Sequence, residues 1–314
     1  MRTGALPRTP GYFRQEEAGA ALEMTGEVEI FEVGPRDGLQ NEARPIAVAD
    51  KVALVDALSA AGFRRIEVAS FVSPKRVPQM AASGEVLARI ARAPGVSYAA
   101  LTPNLQGFEA ARVARADEVA IFASASEGFS RANINATIAE SLARFGPVAA
   151  AARAAGIPVR GYVSCVVACP YDGAVAPAAV ARVASALDAL GVYEVSLGDT
   201  IGRGTPEAVD AMLAAVLDVL PADRLAGHFH DTDGRALANV EAALARGLRV
   251  FDAAAGGLGG CPFAPGAAGN VATEALADRL EALGWRTGLD REALARAAGM
   301  ARALRPGGGG REGP

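Results

Sequence analysis

Short runs rich in β-branched and aromatic residues alternate with longer Ala/Leu-rich stretches along most of the chain. Runs of about four to eight such residues, bounded by turn formers, are typical of β-strands. The pattern therefore predicts a series of strands separated by helices. The predicted strands are Val28–Val33, Arg65–Ser70, Ser97–Leu101, Glu118–Ala123, Val159–Val166, Tyr193–Leu197, Leu225–His230 and Arg249–Ala255.

Between the strands, apolar residues recur at three- and four-residue steps, as they do along one face of an α-helix. Glycines that directly follow these stretches suit C-terminal caps, and a Thr205-Pro206 pair suits a helix start. The clearest predicted helices are Val48–Ala61, Ile134–Ala155, Pro177–Leu190, Pro206–Leu220 and Ala236–Arg246, and the capping glycines are Gly62, Gly156, Gly191 and Gly247.

Eight strands that alternate with helices over roughly 260 residues predict an α/β fold, a (β/α)8 TIM barrel, which typically takes about 250 residues. A doubly wound open sheet is the alternative, but it favours a glycine-rich phosphate turn after the first strand, and Gly34–Gly38 matches one poorly. A last helical segment, Asp290–Leu304, predicts a C-terminal helical extension.

The ends of the chain differ in composition from this repeat. Residues 1–26 contain prolines without a clear period and predict a poorly ordered leader, and residues 306–314 are mostly glycine and charge and predict a flexible tail. Residues 27–305 are then the catalytic barrel domain. Met24 lies just before the first predicted strand, which leaves open whether residues 1–23 are translated.

Composition excludes several classes of protein. The 314 residues are 51% apolar and 21% charged, with a net charge of −4 and no dense basic block, so nucleic acid is not an expected partner. No apolar run approaches the roughly 20 residues of a membrane helix. Three cysteines, Cys165, Cys169 and Cys261, form no disulfide-like framework, which favours a reducing, cytoplasmic location. Cys165 and Cys169 are interpreted as small buried residues.

Both histidines of the chain, His228 and His230, lie at the end of the seventh predicted strand. Residues two apart in a strand point the same way, so the two imidazoles should lie side by side with Phe229 on the opposite face. A strand that ends with two imidazoles in one direction can hold a divalent metal. A pair of packed or surface histidines is the alternative.

In a TIM barrel the active site lies at the C-terminal ends of the strands, and several chemically unusual residues fall there. Asp37 offers a carboxylate oxygen to a cation and Arg36 a fixed positive charge to an oxyanion, although the two could also form an ion pair in a surface turn. Glu67 should point into the barrel, where it either serves the site or belongs to a structural network with arginines.

Polar residues at other strand ends are candidate substrate contacts. Asp199 and Thr200 could alternatively cap their own loop. The predicted substrate-binding residues are Gln40, Ser70, Ser196, Asp199 and Thr200.

The loop Gly256–Asn270 is rich enough in glycine for a closing lid. Cys261 lies in its middle as a reactive thiol or an incidental one. Asn270 offers an amide oxygen at its end. With Asp37 and the two histidines it would form a mixed nitrogen and oxygen ligand set, which suits Mg²⁺ or Mn²⁺ and could also hold Zn²⁺.

The chain resembles the hydroxymethylglutaryl-CoA lyase (HMG-CoA lyase) family from about Val28 to about Gly288. The glycine-rich loop is the stretch that distinguishes this lyase branch from other metal-dependent lyases and synthases. The stretches that carry the resemblance are Val33–Glu42 (VGPRDGLQNE), Ser70–Lys75 (SFVSPK), Asn133–Asn135 (NIN), Arg160–Cys165 (RGYVSC), Ser196–Gly202 (SLGDTIG) and Gly256–Pro262 (GGLGGCP).

The resemblance implies a barrel enzyme that splits 3-hydroxy-3-methylglutaryl-CoA into acetyl-CoA and acetoacetate, with an acyl-CoA substrate and a homodimeric state as family expectations. It implies that Arg36 stabilises an enolate, that Glu67 supports the site and that Cys261 completes it. Asp37 as base and Cys261 as acid are role assignments that stay open. The implied ligands of Mg²⁺ or Mn²⁺ are Asp37, His228, His230 and Asn270.

Two positions depart from the family pattern, which has Cys in place of Phe229 and commonly Tyr in place of Phe263. The second could bear on substrate choice. A lyase for a bulkier 3-hydroxyglutaryl-CoA, an aldolase for a 4-hydroxy-2-oxo acid and a catalytically idle acyl-CoA-binding barrel are the alternatives. Residues that could contact the CoA portion are Lys75, Arg131 and Asn133.

Overall fold

The computed structural model describes residues 26–260 and 269–305. Its centre is a closed barrel of eight parallel strands. Each strand pairs with the next along the chain, and β8 pairs with β1 to close the barrel. Closure confirms the predicted TIM barrel and excludes the open sheet. The strands are β1 (Glu29–Glu32), β2 (Arg65–Ser70), β3 (Ser97–Leu101), β4 (Glu118–Ser124), β5 (Val159–Ser164), β6 (Glu194–Asp199), β7 (Leu225–Phe229) and β8 (Val250–Ala253).

Helices cover the outside of the barrel. Within the described ranges, no helix combines the length and the apolar character that crossing a bilayer requires. The helices are α1 (Val48–Ala60), α2 (Ser83–Arg89), α3 (Leu105–Val113), α4 (Glu127–Ile134), α5 (Ile138–Ala155), α6 (Pro177–Leu190), α7 (Pro206–Leu217), α8 (Ala236–Ala245), α9 (Thr273–Ala282) and α10 (Arg291–Ala303).

The predicted helix Ile134–Ala155 is wrong at its beginning, because Ile134 ends α4. Asn135 follows in the left-handed conformation, with φ 50°, which stops that helix. Thr137 then starts α5 through a capping box with Glu140. Asn135 and the capping box of Thr137 and Glu140 together separate the two helices, and apolar spacing alone does not show that boundary.

Strand β5 is shorter than predicted for a similar local reason. It ends at Ser164, and Cys165 has a φ of 60°, which turns the chain out of the sheet. The predicted caps Gly156 and Gly191 do adopt left-handed conformations at the ends of α5 and α6. The predicted C-terminal extension forms as α10, which packs against α1.

The apolar core lies between the barrel wall and the helices. Outward-facing strand residues such as Ile66 and Leu197 join helix residues such as Leu54 and Val209 in one buried cluster. The inside of the barrel is different, because it contains arginines and carboxylates. Arg160 lies over the ring of Phe31, with its Cζ atom 4.2 Å from the ring centroid. These charges are paired, as a buried charge requires.

Glu32, the last residue of β1, connects the first and last strands of the barrel. Its Oε1 accepts hydrogen bonds from the backbone N–H of Gly34 (2.9 Å) and Ala255 (3.0 Å), and its Oε2 accepts one from Thr273 (2.7 Å). Burial raises the pKa of this carboxyl to about 7 in spite of these donors. The loop after β1 and the loop after β8 are therefore held side by side.

Candidate metal centre and active site

Four of the predicted residues meet at the C-terminal mouth of the barrel. Asp37 lies in a π-helical turn, Gly34–Gly38, directly after β1, and His228 and His230 lie at the end of β7. One donor atom from each of these three residues lies within 4.8 Å of the other two. Asn270 reaches the same point because it forms an isolated antiparallel bridge with His230.

The two histidines face the same side, as their spacing predicts. Their ring centroids are 5.3 Å apart, while Phe229 between them is buried in the apolar core on the other face. Gly227 makes room for that ring, because a Cβ atom there would lie 2.7 Å from it. Alternation along β7 thus aims both imidazoles at the barrel mouth.

The donor set fits a divalent cation. Asn270 Nδ2 donates to Asp37 Oδ2 (2.9 Å), while Asn270 Oδ1 and His230 Nδ1 are buried without a hydrogen-bond partner. Such orphaned acceptors are costly unless something binds them. Two imidazoles, a carboxylate and an amide oxygen are an ordinary ligand set for a divalent metal.

Burial and charge act differently on the candidate ligands. Burial opposes protonation of His228, but Asp252 and Asp37 outweigh it and raise its pKa. Burial opposes ionisation of Asp37, but Arg36 and the two histidines outweigh it and lower its pKa to about 2. Burial, reinforced by His228, lowers the pKa of His230 to about 4. At neutral pH the carboxylate is therefore charged and His230 is neutral.

Arg36 and Glu67 form a buried pair beside Asp37. Arg36 Nε donates to Glu67 Oε2 (2.5 Å) and Arg36 Nη1 donates to Asp37 Oδ1 (2.6 Å). Glu67 points into the barrel, as predicted, and is fully buried. Burial raises its pKa, and Arg36 opposes that rise. The arginine is 5% exposed, so this is not a surface ion pair.

The predicted substrate contacts fall into two groups. Gln40 and Thr200 line the cavity at the barrel mouth, and Gln40 Nε2 also donates to Asp37 Oδ1 (3.1 Å). Ser196 instead donates to Asp252 Oδ2 (2.8 Å), and Asp199 accepts from the backbone N–H of Gly204 (2.7 Å) as a loop cap would.

Ser70 is also outside the described cavity lining. Its backbone N–H donates to Ser83 Oγ (3.0 Å), and its own Oγ is buried without a hydrogen-bond partner. Cys165 and Cys169 are buried free thiols, as predicted. Burial is also the main reason why the pKa of Cys165 is raised.

The cavity itself has a volume of about 930 Å³ and contains Asp37, His228 and His230 in its wall. Asn133, a predicted CoA contact, lines it as well. Lys75 and Arg131 are not in the described lining, which contains Arg76 and Arg144 in addition to Arg36. Arg131 Nε lies 3.8 Å from Oε2 of Glu127 in the same helix, α4.

Cys261 and Phe263 lie outside the described residues, but both ends of their loop are defined. Leu258 packs so closely on Gly38 that a Cβ atom at Gly38 would lie 2.6 Å from the leucine Cβ. Asn41 Nδ2 donates to the carbonyl oxygen of Gly260 (2.9 Å). The described part of the loop therefore ends beside the turn that carries Asp37.

Three residues with a role in the site were not predicted, namely Arg160, Tyr162 and Asp252. Tyr162 lines the cavity and donates to Glu67 Oε2 (3.2 Å). Asp252 Oδ2 lies 3.0 Å from His228 Nδ1, and Arg160 is paired with Asp252. A polar residue between two buried apolar residues of a strand, such as Phe251 and Ala253, is the signal that could have identified Asp252.

Comparison with known proteins shows which family the chain resembles. A family model described as HMGL-like matches residues 27–300. Hydroxymethylglutaryl-CoA lyase from Pseudomonas mevalonii is 59% identical over 268 residues, which cover 85% of this chain and 89% of that protein. The 3-hydroxy-3-isohexenylglutaryl-CoA/hydroxy-methylglutaryl-CoA lyase from Pseudomonas aeruginosa is 59% identical over 273 residues, which cover 87% and 91%.

Solved structures show the same similarity. The HMG-CoA lyase from Brucella melitensis has 61% identity and a TM-score of 0.88, covering 89% of this chain and 99% of that one. An HMG-CoA lyase from Acinetobacter baumannii, in complex with coenzyme A and 3-methylmalate, has 38% identity and a TM-score of 0.84, covering 88% and 91%. The matched fold, the extent of the match and the composition of the site together show that this chain belongs to the HMGL-like family.

Proposed function

We propose that the chain is a divalent-cation-dependent lyase that cleaves 3-hydroxy-3-methylglutaryl-CoA to acetyl-CoA and acetoacetate. The convergence of Asp37, His228 and His230 beside the buried Arg36 is the observation that carries this proposal. Close relatives are named for the same reaction. The alternatives of an aldolase and of an idle acyl-CoA-binding barrel have no such support.

The proposed ligands are Asp37, His228, His230 and Asn270, with Mg²⁺ or Mn²⁺ as the cation. When bound, the cation would polarise the substrate hydroxyl and lower its pKa. The oxygen donors of Asp37 and Asn270 favour these hard cations, while the two imidazoles also suit Zn²⁺.

Arg36 is proposed to stabilise the negative charge of the departing fragment. Removal of the hydroxyl proton gives an alkoxide. Its electron pair forms the ketone of acetoacetate as the carbon–carbon bond breaks, and the electron pair of that bond passes to the thioester enolate. A guanidinium has five N–H donors. Arg36 directs Nε and Nη2 to Glu67 and Nη1 to Asp37, which leaves two of the five N–H groups for that enolate oxygen. Glu67 supports the site by holding the guanidinium in place.

Two proton transfers complete the reaction. The pKa of about 2 makes Asp37 a better ligand than a base, so it can take the hydroxyl proton only if that hydroxyl is made strongly acidic. Cys261 is proposed to protonate the enolate carbon, because Gly260, the residue before it, accepts a hydrogen bond from Asn41 beside the turn of Asp37.

Replacement of Cys261 with serine tests that role. We expect a loss of about 10²–10⁴-fold in kcat, the usual contribution of general acid–base catalysis, because a serine hydroxyl is a far weaker acid than a thiol. Mn²⁺ affinity should stay at the wild-type value, since Cys261 is not a proposed ligand. Wild-type turnover in Cys261→Ser would remove the residue from the mechanism.

The CoA portion is proposed to lie along the cavity wall that contains Arg76, Asn133 and Arg144. The guanidinium groups of Arg76 and Arg144 are both exposed, and each can donate two hydrogen bonds to a phosphate of CoA.

Gln40 and Thr200 are the proposed contacts of the acyl portion. Ser70, Ser196 and Asp199 stay predicted substrate contacts. A homodimer is proposed with the family, and light scattering of the purified protein would test it. The cytoplasmic location stays a prediction from the cysteine content.

Removal of the metal is the decisive test of the proposed function. The purified chain would be stripped with a chelator and assayed for acetoacetate release with and without added Mg²⁺ or Mn²⁺. We expect turnover to disappear on chelation and to return with the cation. Cleavage that survives chelation unchanged would contradict the role of the cation. Metal binding without any cleavage would contradict the substrate.

A bulkier substrate is the second candidate, because the relative from Pseudomonas aeruginosa is named for an isohexenyl-substituted one as well. The cavity here has an apolar wall that includes Leu101, Phe122 and Val163. The same assay with a 3-hydroxy-3-isohexenylglutaryl-CoA substrate would decide. A kcat/KM near that for the methyl compound would support it, and the absence of turnover would limit the chain to the small substituent.

A further inference from the structure

A continuous series of buried side-chain hydrogen bonds connects the two sides of the metal centre through the inside of the barrel. It begins at His228 on one side and ends at Asp37 on the other. Every member between them is fully or almost fully buried. In order, the residues are His228, Asp252, Arg160, Tyr162, Glu67, Arg36 and Asp37.

Asp252 is the member of this series that touches a proposed ligand without contacting the cavity. Its Oδ2 lies 3.0 Å from His228 Nδ1 and accepts from Arg160 Nη1 (3.0 Å), and its Oδ1 accepts from Arg160 Nη2 (2.7 Å). The arginine thus grips the carboxylate with two nitrogen atoms. A bidentate pair of this kind fixes the plane and position of the carboxylate.

We propose that Asp252, held in place by Arg160, is a positioning residue that sets the tautomer and orientation of His228 in the metal centre. The inference rests on the cation site of the proposed function. It adds Arg160 of β5 and Asp252 of β8 to the site, and neither residue is itself a proposed metal ligand.

The donors around Asp252 decide the tautomer. Arginine keeps its proton in proteins and only donates, and the carboxylate it holds can only accept. His228 must therefore present an N–H from Nδ1 to Asp252. In the neutral imidazole the lone pair is then on Nε2, the atom that lies 3.9 Å from Asp37 Oδ2. That is the atom a metal shared with Asp37 requires.

His230 provides the internal comparison. Its Nδ1 is buried without a hydrogen-bond partner in the described structure, so no carboxylate fixes its tautomer. The two histidines, which are two residues apart, therefore differ in whether a carboxylate fixes the tautomer. A purely structural role for Asp252, as a counter-ion of Arg160, would not explain why its Oδ2 also faces the imidazole.

Asp252→Asn is the test variant and Glu194→Gln is its matched control. Glu194 accepts from Arg160 Nε (2.7 Å), so both changes neutralise a buried carboxylate that pairs with the same arginine. Only Asp252 touches His228. The amide of Asp252→Asn offers an N–H in place of one carboxylate oxygen, which allows the histidine to adopt the other tautomer.

The first measurement is the affinity for Mn²⁺ by calorimetry or electron paramagnetic resonance. We expect Asp252→Asn to weaken it about 10–100-fold, as the loss of an outer-shell partner does, and Glu194→Gln to stay within about twofold. Equal losses of Mn²⁺ affinity in the two variants would overturn the proposal. The loss would then come from removing a negative charge beside Arg160 and not from the contact with His228. An unchanged affinity in Asp252→Asn would also overturn it.

The second measurement needs neither metal nor turnover. The chain has two histidines, so ¹⁵N-histidine NMR of the metal-free protein at alkaline pH gives two sets of ring signals, which a His230→Gln variant assigns. We expect His228 to carry its proton on Nδ1 and to lose that preference in Asp252→Asn, with His230 unchanged. An Nε2–H tautomer of His228 in the wild type would overturn the proposal even if Asp252→Asn fails to fold.

These readouts separate the inference from the proposed function. Failure of the wild type to bind Mn²⁺ or to cleave the substrate would contradict the proposed function while leaving the tautomer measurable. Normal metal binding and cleavage in Asp252→Asn would contradict the positioning role alone.

Discussion

Replacement of His230 with alanine is expected to lower Mn²⁺ affinity by about 100-fold or more and to remove most turnover. The lower bound follows because even the loss of an outer-shell partner costs about 10–100-fold, and His230 is a direct ligand in the proposed centre. The remaining proposed donors, Asp37, His228 and Asn270, would hold the cation without the second imidazole. Calorimetric titration of the metal-free variant measures the change.

Phe229→Leu is the control for this prediction, because Phe229 precedes His230 on the same strand and faces the core instead of the metal. It should cost about 1 kcal/mol of stability through lost packing and leave Mn²⁺ affinity unchanged. Wild-type affinity in His230→Ala would remove the residue from the ligand set. A loss of affinity in Phe229→Leu as large as that in His230→Ala would point to general damage to β7.

Replacement of Arg36 with lysine is expected to lower kcat by about 10²–10³-fold, the size of effect seen when one donor to an oxyanion is removed. Lysine keeps the positive charge between Glu67 and Asp37, so the buried carboxylates stay compensated. It lacks the planar fork that contacts Glu67 and Asp37 at once while keeping donors for the substrate. Steady-state kinetics at saturating Mn²⁺ gives the loss.

Arg44→Lys is the matched control, because Arg44 is an exposed arginine in the same connection between β1 and α1. It should keep wild-type kcat. Mn²⁺ affinity of Arg36→Lys should fall far less than kcat, since the guanidinium is not a ligand. An unchanged kcat in Arg36→Lys would contradict the proposed role, and a parallel fall in Mn²⁺ affinity and kcat would show that Arg36 acts by positioning Asp37.

The fold could be predicted because its signals are local and repeat along the chain. Strands β2 and β3 begin and end at the predicted residues, and so does helix α6. The side on which His228 and His230 lie follows from the two-residue period of a strand alone. The point where α4 gives way to α5 could not be predicted from apolar spacing, because the left-handed Asn135 and the capping box of Thr137 and Glu140 decide it.

The candidate site was predictable where chemistry and strand ends coincide. Asp37, the two histidines and Asn270 are polar residues at or after predicted strand ends, and barrel closure brings such positions to one mouth. Ser196 and Asp199 show the limit of this reasoning. Ser196 lies inside β6 and Asp199 at its end, and both bond within the protein outside the described cavity lining. Thr200, the next residue, lines the cavity and also accepts a hydrogen bond from the backbone N–H of Cys165.

The sequence by itself determined the strand and helix order, the closed barrel that this order implies and the residue types available at its mouth. Only the tertiary structure decided which polar residues meet across the barrel. Arg160, Asp252 and Glu67 come from β5, β8 and β2, and their pairing depends on strand register and on burial. Inside a closed barrel a charge must find a partner, and that partner is far away in sequence.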